Sequence, residues 1–299
     1  MRIAITGANA GIGRRAAERL VADGHEVVAL CRDEEKARAA FADLAPDDRS
    51  RLQVLRLDLA SSISVRQAAA ELVASGPLDA LISNAAVFDQ SIRDARITAD
   101  GHELFWQTNH LGPVELLARV SPALAAAPAP RVLLVASKGL IAMPRIRIRF
   151  DELADPRWFT PTAAYYHAKL AQVMTAVTLA ERFGDRVDVS CLRVPAVRLD
   201  AERLATQPRL YRALYAPKNR AAVAPEVIAE VYARIIAEVP RHSRGPEVYV
   251  DEHERVAAIP RGARDPENRS RLWNLTQQSI GNPSWAWTDS AVSPPATQS

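Results

Sequence analysis

The sequence has little cysteine and no long hydrophobic run. Its 299 residues include two cysteines, Cys31 and Cys191, which are too few for a disulfide framework or a zinc site. The six histidines show no metal-binding spacing, so we expect no metal ion. The longest apolar run, near 132–136, is far shorter than the roughly 20 residues that cross a bilayer. Because the opening residues also lack a secretory signal, we expect a cytoplasmic protein without a membrane anchor.

An excess of charge of one sign is also missing. The 38 basic and 35 acidic residues leave a formal net charge of +3. Basic residues do cluster at 145–149, in the run RIRIR, but no aromatic residues are interleaved to stack on bases. We therefore expect no nucleic-acid partner, and we interpret the run as a solvated loop or a local anion site.

What the sequence does contain is a regular alternation of short apolar runs and helical segments. Seven runs, from 2–6 to 247–250, are continuously apolar, which is typical of parallel strands covered on both faces. Helical segments separate these runs along the chain. The pattern predicts an α/β protein with a doubly wound, Rossmann-type sheet of seven parallel strands and helices on both faces.

The domain organisation is expected to be simple. Residues 1–281 show no linker and are predicted to form one dinucleotide-binding and catalytic domain. Within it, residues 198–224 carry apolar and aromatic side chains and predict a flap over a substrate, or an ordinary pair of surface helices. Residues 282–299 are rich in Pro, Ser, Thr and Gln and predict a flexible tail, although Trp285 and Trp287 could dock on the surface.

A glycine-rich turn lies between the first predicted strand and the first predicted helix. Its spacing is Gly-x-x-x-Gly-x-Gly, preceded by threonine. Glycines allow the backbone to approach a pyrophosphate closely, and a helix N-terminus offers N–H groups to an anion. The residues predicted to bind the cofactor here are Thr6, Gly7, Asn9, Gly11, Ile12 and Gly13. The alternative is a purely structural glycine turn.

The end of the second predicted strand lacks the acidic residue that binds the ribose in NAD sites. Cys31 stands there, and Arg32 follows it. A guanidinium favours a 2′-phosphate through charge-assisted hydrogen bonds, so the sequence predicts NADP(H) as the cofactor. The acidic neighbours Asp33 and Glu34 weaken such a site, and Arg32 as an ordinary surface arginine is the alternative.

A tyrosine and a lysine stand four residues apart at the start of a long apolar helix. Tyr165 and Lys169 therefore project from one face of that helix. A phenol is a poor acid–base catalyst near neutral pH, but a neighbouring ammonium stabilises the phenolate and lowers the pKa. The pair is suited to proton transfer at a carbinol oxygen. Tyr166 is a competitor by position only, because Leu170 stands four residues after it.

Two further polar residues stand out, one at the end of a predicted strand and one inside a predicted helix. Ser137 ends the fifth strand; a serine-hydrolase elbow is disfavoured there because Val135 replaces its first glycine. Asn109 precedes Pro113 by four residues, and proline has no N–H to bond the Asn109 carbonyl. The sequence thus predicts a freed carbonyl within a helix, or simply a proline kink.

These motifs together resemble the classical short-chain dehydrogenase/reductase family. The glycine turn, the Ser83-Asn84-Ala85-Ala86 run and the Tyr165-x-x-x-Lys169 pair carry the resemblance, which covers about residues 1–281. The region near 247–275 resembles the retinol-dehydrogenase-like and WW-domain-oxidoreductase-like branch.

The resemblance implies a role for each matching residue. The catalytic residues it implies are Asn109, Ser137, Tyr165 and Lys169. The further cofactor contacts it implies are Asp58, Leu59, Asn84, Ala85, Pro195 and Val197, together with Tyr165 and Lys169. The chain departs from the family pattern at Ala86 and Ala196, where glycine is usual, and it lacks the usual threonine near Asp200.

The function expected from the resemblance is NADP(H)-dependent oxidoreduction. The substrate would be a largely apolar small molecule, interconverted between a ketone or aldehyde and an alcohol with Tyr165 as acid and base. The alternative is a catalytically silent NADP(H)-binding regulatory or partner protein. A homodimer through helices near 102–126 and 163–183 is also implied. The apolar stripe that would serve either that interface or the core comprises Leu170, Val173, Met174, Val177 and Leu179.

Overall fold

The computed structural model describes residues 1–198, 222–237 and 244–288. Its centre is one sheet of seven parallel strands in the order β3-β2-β1-β4-β5-β6-β7. The strands are β1 (Arg2–Thr6), β2 (Glu26–Cys31), β3 (Leu52–Arg56), β4 (Ala80–Ser83), β5 (Arg131–Ser137), β6 (Asp188–Val194) and β7 (Tyr249–Val250). The strand order reverses between β1 and β4, which creates a crevice at their carboxyl ends. The predicted doubly wound fold is confirmed.

Helices cover both faces of this sheet. They are α1 (Gly11–Ala22), α2 (Glu34–Ala40), α3 (Pro46–Ser50), α4 (Ser62–Ala74), α5 (Leu104–Trp106), α6 (Gly112–Ala125), α7 (Pro161–Phe183), α8 (Pro225–Ala237) and α9 (Pro266–Ser279). A π-helical segment, Gln107–Leu111, joins α5 to α6. None of the helices in the described ranges combines the length and the apolar character that crossing a membrane requires.

The alternation of side chains along β5 explains why its sequence is continuously apolar. Val132 and Leu134 belong to the core cluster that contains α4, α6 and α7, whereas Leu133 and Val135 belong to the cluster that contains α1 and α8. Successive residues of a strand point to opposite faces, so a strand covered on both faces has no polar side. Inner strands of this kind can therefore be recognised from their apolar runs, whereas β3, at one edge of the sheet, is only partly buried.

The helix predicted over 101–126 is interrupted in the structure. It begins at Leu104, and the N–H of Gly112 bonds the carbonyl of Gln107, five residues earlier. Pro113 directly follows and has no N–H to offer. Gly112 lies very close to the loop between β3 and α4: a Cβ on Gly112 would stand 2.3 Å from the Leu59 carbonyl oxygen. The π-helical segment, typical of functional sites, thus coincides with the Asn109 motif.

The apolar stripe of α7 lies in the core. Its five residues, named above, are each at most 1 % exposed within the described chain. The stripe packs in the cluster that also includes Leu272 and Trp273 of α9. The C-terminal part of the same chain therefore covers this helix.

The segment that composition assigned to a tail is packed over its first part. Trp285 and Trp287 are buried, with ring centroids 5.6 Å and 5.7 Å from that of Phe183 at the end of α7. The backbone N–H of Ala286 donates to the Ser121 hydroxyl oxygen at 2.9 Å. Residues 282–288 thus belong to the folded body because their tryptophans find an aromatic partner. Residues 289–299, like residues 199–221 of the predicted flap, lie outside the described residues.

Candidate active site

Each glycine of the turn after β1 has a separate structural reason. Gly7 and Gly11 have φ values of +66° and +54°, a region that side chains strongly disfavour. A Cβ on Gly13 would stand 2.4 Å from the carbonyl oxygen of Gly7. The turn is therefore folded back against the first turn of α1. Its backbone can approach a ligand at the N-terminus of that helix, which is the geometry a pyrophosphate requires.

A hydrogen-bond network fixes this turn to β4. The Thr6 hydroxyl oxygen accepts from the N–H groups of Asn84 and Ala85, at 3.0 Å and 2.9 Å. The Asn84 amide donates to the Thr6 carbonyl at 2.9 Å, and Asn84 Oδ1 accepts from the Tyr232 hydroxyl at 3.1 Å. Burial raises the pKa of Tyr232, so this phenol stays protonated and donates. Sequence reasoning identified Asn84 but missed Tyr232, whose partner lies far away in the chain.

Cys31 has a structural role in the same turn. It is buried, and its sulfur accepts hydrogen bonds from the backbone N–H groups of Ala8 and Asn9. Burial raises the pKa of the thiol to about 11, so it is neutral at pH 7. The position that is acidic in NAD sites therefore holds a neutral group that braces the turn.

A cavity of about 470 Å³ lies beside the turn, at the carboxyl ends of β2 and β3. We call it the β2-side cavity. The predicted cofactor residues that line it are Thr6, Gly7, Asn9, Arg32, Asp58, Leu59 and Ala85. Lys36 lines it as well and was missed by sequence reasoning. The Asp33 carboxylate caps α2 by accepting a hydrogen bond from the N–H of Lys36 at 2.9 Å. Its negative charge therefore serves the helix as well as opposing the charge of Arg32.

A second cavity, of about 370 Å³, adjoins the first and shares Gly7 and Asn9 with it. We call it the central cavity. The predicted residues that line it are Gly7, Asn9, Gly11, Ile12, Asn84, Ala85, Ser137, Tyr165, Lys169, Pro195 and Val197. The structure thus brings the predicted phosphate turn and the predicted tyrosine–lysine pair to one continuous site at the switch point of the sheet. Gly13 packs behind the turn.

Lys169 is buried at the floor of the central cavity. Its Nζ donates to the Val135 carbonyl at 2.6 Å and to Gln172 Oε1 at 2.8 Å, and it lies 5.8 Å from the centroid of the Tyr165 ring. Burial lowers the pKa of Lys169 to about 8, because desolvation disfavours the charged form. An ammonium this close to a phenol favours the phenolate over the neutral hydroxyl.

The Ser137 side chain makes two hydrogen bonds in this cavity. Its hydroxyl oxygen accepts from the N–H of Gly139 at 3.2 Å, and its side chain is also hydrogen-bonded with Tyr166. A Cβ on Gly139 would stand 2.1 Å from the Tyr166 hydroxyl, so the glycine makes room for that phenol. Sequence reasoning set Tyr166 aside for lack of a cation, yet the structure places it in the site. The ring of Tyr165 packs on Phe88, with centroids 4.5 Å apart.

Asn109 lies outside the lining of both cavities. It is fully buried, and its side chain bonds the backbone of Val87, accepting from the N–H at 2.7 Å and donating to the carbonyl at 2.9 Å. It thereby holds the loop that follows β4, which carries Phe88 into the central cavity. The catalytic role that the resemblance implies for Asn109 stays a prediction.

The segment after β6 closes the central cavity. The N–H of Arg198 donates to the Val223 carbonyl at 2.9 Å, and the N–H of Val223 donates to the Ala196 carbonyl at 3.0 Å. Pro195 and Val197 thus reach the cavity on a strand-like bridge to the residues before α8. The departures from the family pattern at Ala196 therefore leave this segment ordered.

A doubly wound sheet with a phosphate turn at its switch point and a tyrosine–lysine pair in the adjoining cavity defines a dinucleotide-dependent oxidoreductase. A family model described as short chain dehydrogenase matches residues 1–146. Human dehydrogenase/reductase SDR family member 13 is 31% identical over 296 residues, which covers 93% of this chain and 72% of that protein. Human retinol dehydrogenase 12 is 30% identical over 282 residues, with coverages of 93% and 86%.

Solved structures agree in fold. A short chain dehydrogenase from Shigella flexneri, solved with NADP, superposes with a TM-score of 0.63 at 22% identity over 84% of this chain and 96% of that one. An uncharacterized protein from Mycobacterium paratuberculosis gives 0.66 at 25% identity over 95% and 94%. The chain belongs to the short-chain dehydrogenase/reductase family, in its retinol-dehydrogenase-like branch, and is an oxidoreductase.

Proposed function

We propose that this protein is an NADP(H)-dependent carbonyl reductase or alcohol dehydrogenase that acts on a largely apolar small molecule. The observation that carries the proposal is the central cavity, in which Ser137, Tyr165 and Lys169 meet directly beside the glycine turn. When bound, NADP(H) supplies or accepts the hydride. The close packing of Gly7 and Gly13, which leaves no room for side chains in the turn, fits such a dinucleotide.

The residues of the chain divide the remaining work. In the reductive direction Tyr165 donates its hydroxyl proton to the substrate oxygen as hydride adds to the carbonyl carbon, and oxidation reverses both transfers. The Lys169 ammonium stabilises the phenolate that Tyr165 becomes. Ser137 donates a hydrogen bond to the substrate oxygen and orients it. The rings of Phe88, Tyr165 and Tyr166 give the cavity an apolar wall.

The proposal is tested by NADPH oxidation with a panel of apolar and polar aldehydes and ketones, measured beside NADPH binding by calorimetry. We expect turnover, with kcat/KM rising with the apolar area of the substrate. The alternative function, an NADP(H)-binding regulatory or partner protein, is favoured by Ala196 and by the missing threonine near Asp200. Binding of NADPH without turnover of any substrate would support that alternative. The cytoplasmic location and the homodimer stay predictions.

Cofactor choice is proposed to depend on Arg32, with Lys36 beside it in the β2-side cavity. We expect Arg32→Ala to weaken NADPH binding by about 10- to 100-fold, since a charge-assisted hydrogen bond to a phosphate contributes about 1.5–3 kcal/mol. Binding of NADH, which lacks the 2′-phosphate, should change by less than about threefold. Dissociation constants for both cofactors measure this effect.

The matched control for Arg32→Ala is Arg38→Ala. Arg38 lies on α2 outside the cavity lining and pairs with Glu34 at 3.5 Å. Its loss should leave both dissociation constants unchanged, because a surface ion pair contributes little. Equal weakening of NADPH and NADH by Arg32→Ala would contradict a role in phosphate recognition.

A further inference from the structure

One buried amide in the central site has no role in the proton transfer described above. Gln172 lies one turn after Lys169 on α7 and is 1 % exposed. Its Oε1 accepts a hydrogen bond from Lys169 Nζ at 2.8 Å. Of the two acceptors that the described structure gives Nζ, the Val135 carbonyl belongs to the backbone and Gln172 supplies the side chain. The direction of the Lys169 ammonium therefore depends on an amide that substitution can remove.

Lys169 has no negatively charged neighbour among the described residues that act on it electrostatically. Cys191 faces it from β6, but burial raises the pKa of that thiol to about 12, so it is neutral. Tyr165, on the same helix, presents its ring 5.8 Å from Nζ. A buried cation without a carboxylate depends on neutral dipoles for stabilisation. Two carbonyl oxygens, one from Val135 and one from Gln172, provide them here.

We propose that Gln172 is the positioning residue for Lys169: its side-chain carbonyl holds the ammonium beside the Tyr165 ring and keeps it charged. The proposal rests on the proposed function for its catalytic meaning, but the interaction itself is a property of the cofactor-free chain. Gln172 is not among the residues that line the central cavity. It acts through Lys169, and Lys169 acts on Tyr165.

Two substitutions of Gln172 by residues of similar size are expected to shift the pKa of Lys169 in opposite directions. Gln172→Met removes the acceptor and leaves an apolar chain of comparable length, which disfavours the ammonium. Gln172→Glu replaces the neutral acceptor by a carboxylate at the same place, which favours the ammonium. A role of Gln172 in packing alone predicts no such opposition, because both variants preserve its volume.

The test is an NMR titration of lysine side chains in the cofactor-free protein. The sequence contains only four lysines, Lys36, Lys138, Lys169 and Lys218, so ¹³Cε-labelled lysine gives four signals, and Lys169→Arg assigns the one of interest. In the wild-type protein we expect that signal to titrate with a pKa near 8. We expect Gln172→Met to lower the midpoint, and Gln172→Glu to raise it, each by about one pH unit or more.

The control is Thr178→Val, which removes another buried polar group from α7. The Thr178 hydroxyl donates to the Met174 carbonyl at 3.0 Å, two turns beyond Lys169, so its loss should leave the Lys169 titration unchanged. If both Gln172 variants leave the Lys169 midpoint where it is, or move it in the same direction, the proposal is overturned.

The kinetic readout separates this proposal from the proposed function. The alkaline limb of the kcat profile for carbonyl reduction should move with the Lys169 midpoint, downward in Gln172→Met and upward in Gln172→Glu. If no carbonyl is reduced but the NMR midpoints move apart, the proposed function fails and the control of Lys169 by Gln172 stands. If the midpoints move and an existing activity keeps its pH profile, the positioning role in catalysis is wrong.

Discussion

Tyr165→Phe is expected to lower kcat for carbonyl reduction by about 10²- to 10⁴-fold, the range that a positioned general acid contributes. Removing one hydroxyl leaves the ring in place, with its packing on Phe88 at 4.5 Å and its proximity to Lys169. NADPH binding should therefore stay within about threefold of the wild-type value. Steady-state kinetics and calorimetry on the same preparation measure both quantities.

The control for Tyr165→Phe is the same chemical change at the next residue. Tyr166→Phe loses the hydrogen bond with Ser137 but not the phenol beside Lys169. We expect it to lower kcat by about tenfold or less, since one neutral hydrogen bond contributes about 1 kcal/mol. If Tyr166→Phe abolishes turnover while Tyr165→Phe retains it, the acid and base of the reaction has been assigned to the wrong tyrosine.

Acid is expected to destabilise the fold strongly through two histidines. His110 and His167 are buried, and both pack on Trp106, with ring centroids 4.4 Å and 5.0 Å from it. Burial lowers the pKa of each to about 3; the neighbouring His167 adds to this for His110, and Arg149 adds to it for His167. His167 Nε2 accepts the N–H of Arg149 at 3.0 Å, which requires the neutral ring.

The direction of this effect follows from the two protonation states. An unfolded histidine has a pKa near 6.5, so below that pH the unfolded chain binds protons that the folded chain does not. The stability that the two neutral histidines contribute is therefore fully present above about pH 6.5 and is lost progressively as the pH falls toward 3. In that window each histidine lowers the free energy of unfolding by about 1.4 kcal/mol for every pH unit of acidification. Because the effect begins only near pH 6.5, the two histidines together should lower the free energy of unfolding by about 4 kcal/mol between pH 7 and pH 5.

Denaturant unfolding at pH 7, 6 and 5 measures this loss. In the double variant His110→Gln with His167→Gln, the side-chain amides can still bond Thr276 and the Arg149 N–H, but they do not titrate. Between pH 7 and pH 5, the free energy of unfolding of the double variant should fall by about 4 kcal/mol less than that of the wild type. His253→Gln, at an exposed position, should follow the wild type. If the free energy of unfolding depends on pH equally in the double variant and the wild type, these histidines are not the cause of the acid destabilisation.

The sequence predicts the sheet and most of the residues that meet in the two cavities because each depends on local pattern. Continuous apolar runs identify strands covered on both faces, and the glycine turn and the Tyr165–Lys169 spacing are each confined to a few consecutive residues. The contacts of Tyr232 and Tyr166 could not be predicted in this way. Their hydrogen-bond partners, Asn84 and Ser137, lie on other elements and come close only in the folded chain.

The same reasoning explains the docking of the C-terminal segment and the break before α6. Composition indicated a tail from residue 282, but the burial of Trp285 depends on Phe183, more than a hundred residues earlier. Pro113 marked a disturbance in the helix, yet the five-residue hydrogen bond from Gly112 to Gln107 also reflects the close approach of Gly112 to Leu59. Propensity locates such features, and tertiary packing decides their form.

Isotope transfer tests the central claim most directly. Purified protein is incubated with NADPH that carries deuterium at both C4 positions of the nicotinamide and with each aldehyde or ketone of the panel, and the alcohol is analysed by mass spectrometry. The account predicts alcohol with one deuterium on the carbinol carbon, formed by the wild type and reduced by at least about 10²-fold in Tyr165→Phe. Tight NADPH binding with no deuterated alcohol from any member of the panel would contradict it.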